Sequence, residues 1–167
     1  MIEELLKTRT KMEYNEQAFT NLIKRQRSTI YTVCYMFSNN QDEVNDLFQE
    51  VLIRLWQGWE KFRGESDERT WVYRVALNCC ISIERKKKTR KSSQIMDGIN
   101  LFDESDTNNH QTELLHSRIM KLQPFDRAIV LLWLEDLSYD DIGAIVGISA
   151  KNVGVRLVRI REQLKKS

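Results

Sequence analysis

"LSYDDIGAIVGISAKNVGVRLVRIREQLKKS", Leu137 to Ser167, closes the chain, and half of its six glycines (Gly143, Gly147 and Gly154) fall within this otherwise helical periodicity. Glycine inside a helix costs about 0.5–1 kcal/mol relative to alanine, so each one needs a reason in turn geometry or close approach. Ser138 followed by Asp141 has the form of a capping box, which starts a short helix that buries Ile142, Ile145 and Val146. Gly147 stands where that helix must stop, at a position suited to left-handed geometry. Ser149 then caps a last helix whose Val153, Leu157, Ile160 and Leu164 face inward. Two helices joined by a tight glycine turn make a helix-turn-helix, and Gly143 fits the crowded spot where they touch. Gly154 lies outside the apolar stripe; its absent side chain either admits a phosphate or base edge or is neutral.

On the last helix Asn152, Arg156, Arg159 and Gln163 recur along one exposed flank, with Lys151 and Val155 beside them. Guanidinium, ammonium and amide groups reach phosphates and base edges, and a valine can touch a thymine methyl, as a major-groove helix requires. An ordinary solvated face would look similar. The coincidence of glycine turn, cap and basic flank favours DNA.

Working outward, a single proline, few glycines and regular apolar spacing over 167 residues predict an all-α chain. The hydrophobic fraction of 41% suffices for the cores of two small domains. No window approaches a membrane span and "MIEELLKTRTK" has no apolar stretch for a signal peptide, so a cytoplasmic protein is expected. Cys34, Cys79 and Cys80 have no metal spacing and read as buried reduced thiols; neither metal nor cofactor is expected.

The net charge of +2 hides segregation. Basic residues crowd "ERKKKTRK" (84–91) and the last helix, whereas Ser92 to Ser117 contains no Lys or Arg and carries Asp97, Asp103, Glu104, Asp106 and Glu113. Two basic patches around an acidic spacer suit two contacts on one polyanion, or two solvated faces. The spacer divides the chain into a domain at 1–91, a linker at 92–112 and a smaller domain at 113–167.

Helical periodicity in the first domain runs from about Asn15 to Phe37, then through Val44, Leu47, Phe48, Val51, Leu52, Leu55, Trp56 and Trp59, and then from Thr70 to about Lys88 with Val72, Val75, Ala76, Cys79 and Ile83 inward. The second domain opens with Leu114, Leu115, Ile119 and Leu122 on a helix ending near Pro124, followed by "FDRAIVLLWLED". Away from the core face of the third helix, Trp71, Arg74, Asn78, Ser82 and Arg85 form a stripe that runs into Lys86, Lys87 and Lys88. Such groups suit unstacked bases and phosphate, or are partly packed surface. Asp46, Gln49, Glu50 and Ile53 step along the outer side of the second helix, either a docking patch or a solvent-facing surface.

Taken together, "DEVNDLFQEVLIRLW", "FRGESDERTWVYRVALNCCISIERKKKTR" and "LQPFDRAIVLLWLEDLSYDDIGAIVGISAKNVGVRLVRIREQLKK" resemble regions 2.1–2.2, 2.3–2.4 and 4 of bacterial sigma factors of the small extracytoplasmic-function group. The resemblance implies a dissociable subunit of RNA polymerase that recognises promoters and helps open them. It implies that Asp46, Gln49, Glu50 and Ile53 dock on the clamp coiled coil of core polymerase, with the second domain near the flap. Phe62, Arg63, Trp71, Arg74, Asn78, Arg85, Lys86, Lys87 and Lys88 would meet the −10 element, the loop from Phe62 to Arg69 pocketing a flipped base. Ser149, Lys151, Asn152, Val155, Arg156 and Arg159 would read the −35 duplex. A separate anti-sigma factor is the implied regulator. Leu77, Ser82 and Gly154 depart from the family's usual residues, which bears on promoter sequence.

Three other classes compete. An autonomous helix-turn-helix regulator with a helical sensor domain would bind duplex operators without polymerase, and a helical adaptor would bind protein alone. An enzyme is disfavoured because no catalytic triad, metal cluster or phosphate loop is present in the sequence.

Overall fold

In a computed structural model, the described residues are 1–62, 64–91 and 107–166, and every regular element among them is an α-helix. The first unit comprises α1 (Ile2–Met36), α2 (Gln41–Trp59) and α3 (Glu68–Lys91). The second comprises α4 (Thr107–Met120), α5 (Pro124–Leu134), α6 (Tyr139–Val146) and α7 (Ala150–Lys166). Thus α4 starts inside the segment read as linker, and the acidic run 92–106 lies outside the described residues.

α1 is longer than its apolar periodicity predicts. Its first turns bury nothing: Ile2, Leu5, Leu6 and Met12 are exposed. They are helical by propensity, rich in Glu, Leu, Lys and Arg, with an Arg9–Glu13 pair at 3.1 Å adding i,i+4 support. Periodicity detects only a face that is buried, so it begins near Asn15. Beyond that point Leu22, Ile30, Val33 and Cys34 enter the core. They meet Val44, Leu47, Val51 and Leu55 of α2, and Val72, Ala76 and Cys79 of α3.

Several residues depart from their expected positions. Trp56, read as core, is 43% exposed and packs edge-on against Phe19 at 5.0 Å. Leu114 and Leu115 are also exposed, and α4 leans on α1 through His116 and Ile119 instead. His116 Nε2 donates to the Tyr35 carbonyl at 2.9 Å, and burial holds its pKa below the usual histidine value. Tyr73 and Leu77 are buried in addition to the predicted α3 face, because α5 and α6 cover a second side of that helix, and Cys80 is buried beside Cys34 of α1. All three cysteines are free and buried. Burial pushes the Cys79 thiol up to about 11, and a hydrogen bond with Cys34 together with burial raises Cys80, so these thiols stay protonated.

In the second unit the glycine turn forms as read. Ser138 Oγ accepts from the Asp141 amide at 3.1 Å, and Gly147 ends α6 at φ 83°. Ser149 Oγ accepts from the Asn152 amide at 3.2 Å and so starts α7. A Cβ on Gly143 would collide with the Ile148 carbonyl oxygen, the crowding expected of it. At Gly154 a Cβ would come to 3.3 Å from the exposed Tyr139 ring, a neighbour that neither reading anticipated.

A feature with no counterpart in the sequence reading joins the two units. Arg127 of α5 is 1% exposed. Its guanidinium donates to both Glu84 oxygens at 2.6 and 3.2 Å, and to the carbonyls of Met120 and Leu122 at 2.8 and 3.1 Å. It also lies 5.0 Å over the Phe37 ring. One side chain therefore closes the C-terminal end of α4 and ties it to α3.

Candidate nucleic-acid interface

Three separate faces carry the residues singled out in the sequence. The first is on α7. Val153, Leu157 and Ile160 are buried against the rest of the second unit, which turns Lys151, Asn152, Val155 and Arg159 outward. Arg156 shares that flank but is engaged: Nη1 pairs with Asp126 at 2.8 Å and the guanidinium lies 4.8 Å over the Phe125 ring. Ser149 is exposed, though its hydroxyl is already the cap acceptor. The Gly143 and Gly147 turn sets the direction in which α7 leaves α6.

The second face is on α2. Val44, Leu47, Val51 and Leu55 bury the inner side against α1 and α3, leaving Asp46 and Gln49 exposed and Ile53 51% exposed. Glu50 is partly buried and accepts from Arg54 Nε at 3.2 Å. This face sets acidic and amide side chains around an exposed isoleucine and the partly open Trp56 ring.

The third face, on α3, differs most from its sequence reading. Trp71 is half-buried, stacked on Phe62 at 4.6 Å between centroids and 6.2 Å from Trp59. Gly58 leaves room for this indole, since a Cβ there would come within 3.3 Å of it. Phe62, Trp59 and Trp71 thus form an aromatic cluster at the mouth of the α2–α3 loop; Arg63 of that loop lies outside the described residues. Arg74 Nε and Nη2 donate to the Ala144 carbonyl of α6 at 3.2 and 2.8 Å. Asn78, Ser82 and Arg85 are exposed but face a cavity of about 220 Å³ whose far wall includes Phe125 and Ile145. Lys86, Lys87 and Lys88 continue outward, Lys87 lying 3.5 Å from Glu43 and Lys88 3.7 Å from Glu84.

Sequence reasoning missed Arg127, Glu84 and His116. The available signal for Arg127 was a lone cation within the apolar run "FDRAIVLLWL", which is costly unless paired. Nothing local identifies its partner on α3. No helix among the described residues is long and apolar enough to cross a membrane.

Comparison with known proteins agrees with this geometry. The family described as Sigma-70 region 2 matches residues 22–90, and Sigma-70, region 4 matches residues 112–164. The chain is 29% identical over 183 residues to the ECF RNA polymerase sigma factor SigW of Bacillus subtilis (strain 168), covering 99% of this chain and 97% of that protein. Among solved structures it is similar to the sigma factor RpoE in complex with the anti-sigma factor NepR from Bartonella quintana. That match has a TM-score of 0.75 at 19% identity, over 90% of this chain and 96% of that one. It is also similar to CnrH in complex with the cytosolic domain of CnrY, with a TM-score of 0.67 at 20% identity, over 90% of this chain and 87% of that one. The two matched regions take up most of the sequence in the order its motifs predict, and the chain belongs to the sigma-70 family, in its extracytoplasmic-function group.

Proposed function

We propose that this promoter-recognising sigma factor divides its work among the three faces. The α7 flank, with Ser149, Lys151, Asn152, Val155, Arg156 and Arg159, reads the −35 duplex in the major groove. Trp71, Arg74, Asn78 and Arg85 with Lys86 to Lys88, and the Phe62–Arg63 loop, take the melted −10 strand by stacking and phosphate contact. Asp46, Gln49, Glu50 and Ile53 dock on the clamp coiled coil of core polymerase, and the second domain sits near the flap. The working division is residues 1–91, 92–112 and 113–167, and the setting is the cytoplasm. The protein acts as a regulatory initiation factor with no catalytic residues of its own. Because its structural relatives are described in complexes with anti-sigma factors, a separate protein of that kind is the proposed regulator.

The observation that carries this reading is the open basic flank of α7, presented by a glycine turn that fixes its direction. Arg156 exchanges its Asp126 partner for DNA, whereas Arg159 is already exposed. Arg159→Ala is expected to weaken promoter binding by the polymerase holoenzyme by about 1–3 kcal/mol if it contacts a base, or to weaken all sequences evenly and reduce the salt slope by about one if it holds phosphate. Mobility shifts with holoenzyme across a salt series read both quantities. Unchanged affinity together with unchanged slope in an Arg156→Ala, Arg159→Ala double variant would remove α7 from promoter reading.

A further inference from the structure

The aromatic cluster of Trp59, Phe62 and Trp71 is tied to α1 at two points. At one end the Trp59 indole Nε1 donates to the Asn15 carbonyl at 3.3 Å. At the other, the chain leaves the α2–α3 loop and enters α3 at Glu68, whose carboxylate is held by three donors of α1. Arg25 donates through Nε to one oxygen at 3.2 Å and through Nη2 to the other at 2.8 Å. Gln26 Nε2 donates to the first oxygen at 3.1 Å. The hydrogen bonding from Arg25 holds the Glu68 carboxyl below the usual carboxylate range, and a charged carboxylate also suits the first turn of a helix. Trp71 follows Glu68 by three residues, within one helical turn, and stacks on Phe62 at 4.6 Å. Asn15 and Arg25 are separated by about 15 Å along α1. α1 therefore sets the spacing between Trp59 and the start of α3, and Phe62 and Trp71 meet within that interval.

We infer that Glu68 is a positioning residue for strand opening: tied to Arg25 and Gln26, it fixes where α3 begins and so holds the Trp71 ring where an unstacked base meets it. The inference rests on the assignment of Trp71 and the Phe62–Arg63 loop to the melted strand. The tie contributes little to the stability of the fold, because the Arg25 and Glu68 side chains are 57% and 30% exposed and ion pairs so open to solvent are weak. Its contribution is geometric. Two N–H···O bonds from one guanidinium fix orientation as well as distance, and a recognition group works only when the residues behind it hold it to within about 0.5 Å. Without the tie the chain still folds, but the start of α3 is free to shift and the Trp71 ring shifts with it. The defect therefore falls on opening, and initial promoter binding through α7 and docking through α2 are spared.

The test is the kinetics of opening by holoenzyme carrying Glu68→Ala, at a promoter mapped by its RNA 5′ ends. Time courses of permanganate reactivity over a series of holoenzyme concentrations separate the limiting rate of opening from the concentration that gives half that rate. Losing one stacked base corresponds to roughly five- to hundred-fold, so the limiting rate should fall by at least about five-fold. The half-rate concentration and the affinity for core polymerase should stay within about two-fold of wild type, with helix content and urea midpoint unchanged. Arg25→Ala should slow opening as much, and the double variant no more than either single one, as expected of residues that share one contact. A double variant whose losses multiply would overturn the tie. Weaker initial binding or weaker polymerase binding in step with slower opening would overturn the positioning role and make Glu68 a general structural residue. Trp71→Ala separates the two layers of the inference. Slow opening by Trp71→Ala with normal opening by Glu68→Ala would overturn the positioning role alone, whereas normal opening by both would mean that the strand assignment itself has failed.

Discussion

Arg127→Ala is expected to lower the unfolding free energy of the protein by about 3–5 kcal/mol, the usual result of removing one member of a buried, hydrogen-bonded charge pair. The size follows from how much one side chain does. It satisfies Glu84, caps the Met120 and Leu122 carbonyls at the end of α4, and covers the Phe37 ring. Its loss leaves the carbonyls without their donor, the carboxylate without its partner, and a cavity among α3, α4 and α5. Glu84→Gln is expected to cost less, about 1.5–3 kcal/mol, because the amide oxygen still accepts from Arg127, which keeps its two carbonyls although its buried guanidinium loses its counter-charge. Urea denaturation of the two single variants checks the asymmetry. Equal losses would mean that Arg127 serves only the ion pair, and its capping role would be wrong.

Charge reversal on α2 should produce the other large effect, on assembly rather than on stability. Asp46 and Glu50 sit one helical turn apart on the face that α1 and α3 leave open. Asp46→Lys with Glu50→Lys places two cations where the proposed contact expects anions, and like-charge juxtaposition at an interface costs several kcal/mol. Core-polymerase affinity should therefore fall by at least a hundred-fold. Helix content should hold, since the ion pair lost among the described residues is the solvent-accessible Glu50–Arg54 bond, worth about 0.3–0.5 kcal/mol. Circular dichroism and titration of labelled core polymerase measure the two. Full affinity in a folded variant would make the α2 face mere surface.

The parts of this fold that were legible in the sequence are those where local chemistry and burial coincide. The helix-turn-helix was readable residue by residue, because Ser138, Gly147 and Ser149 each solve a local backbone problem next to an apolar stripe. The α2 stripe was legible for the same reason, except that Trp56 is large enough to pack on Phe19 and still reach solvent. The rest depends on which surfaces meet at long range. Leu77 looked like a departure from the family pattern and is buried because α5 and α6 lie on α3. Gly154 was read as admitting a phosphate or base edge or as neutral, and nothing in the sequence points to its neighbour Tyr139, a residue fifteen positions earlier. Arg74 was read as part of a stripe that either suits unstacked bases and phosphate or is partly packed surface, and no spacing in the sequence points to the Ala144 carbonyl as its partner. The polar groups that join the two units are individually ordinary, and only tertiary structure pairs them.

The central claim is that the chain directs polymerase to promoters and helps open them, with α7 and α3 acting on separate elements of one site. The most direct measurement is transcription of fragmented genomic DNA from the source organism by core polymerase with and without the purified protein, mapping RNA 5′ ends and permanganate-reactive thymines. The account predicts a discrete set of new start sites that require both components. These sites should share two short sequence elements at a fixed spacing, with reactive thymines at the downstream element that disappear with Arg74→Ala and Asn78→Ala. Tight binding of duplex sites by the protein alone, with no new starts and no strand opening when polymerase is added, would contradict it and identify an autonomous DNA-binding regulator instead.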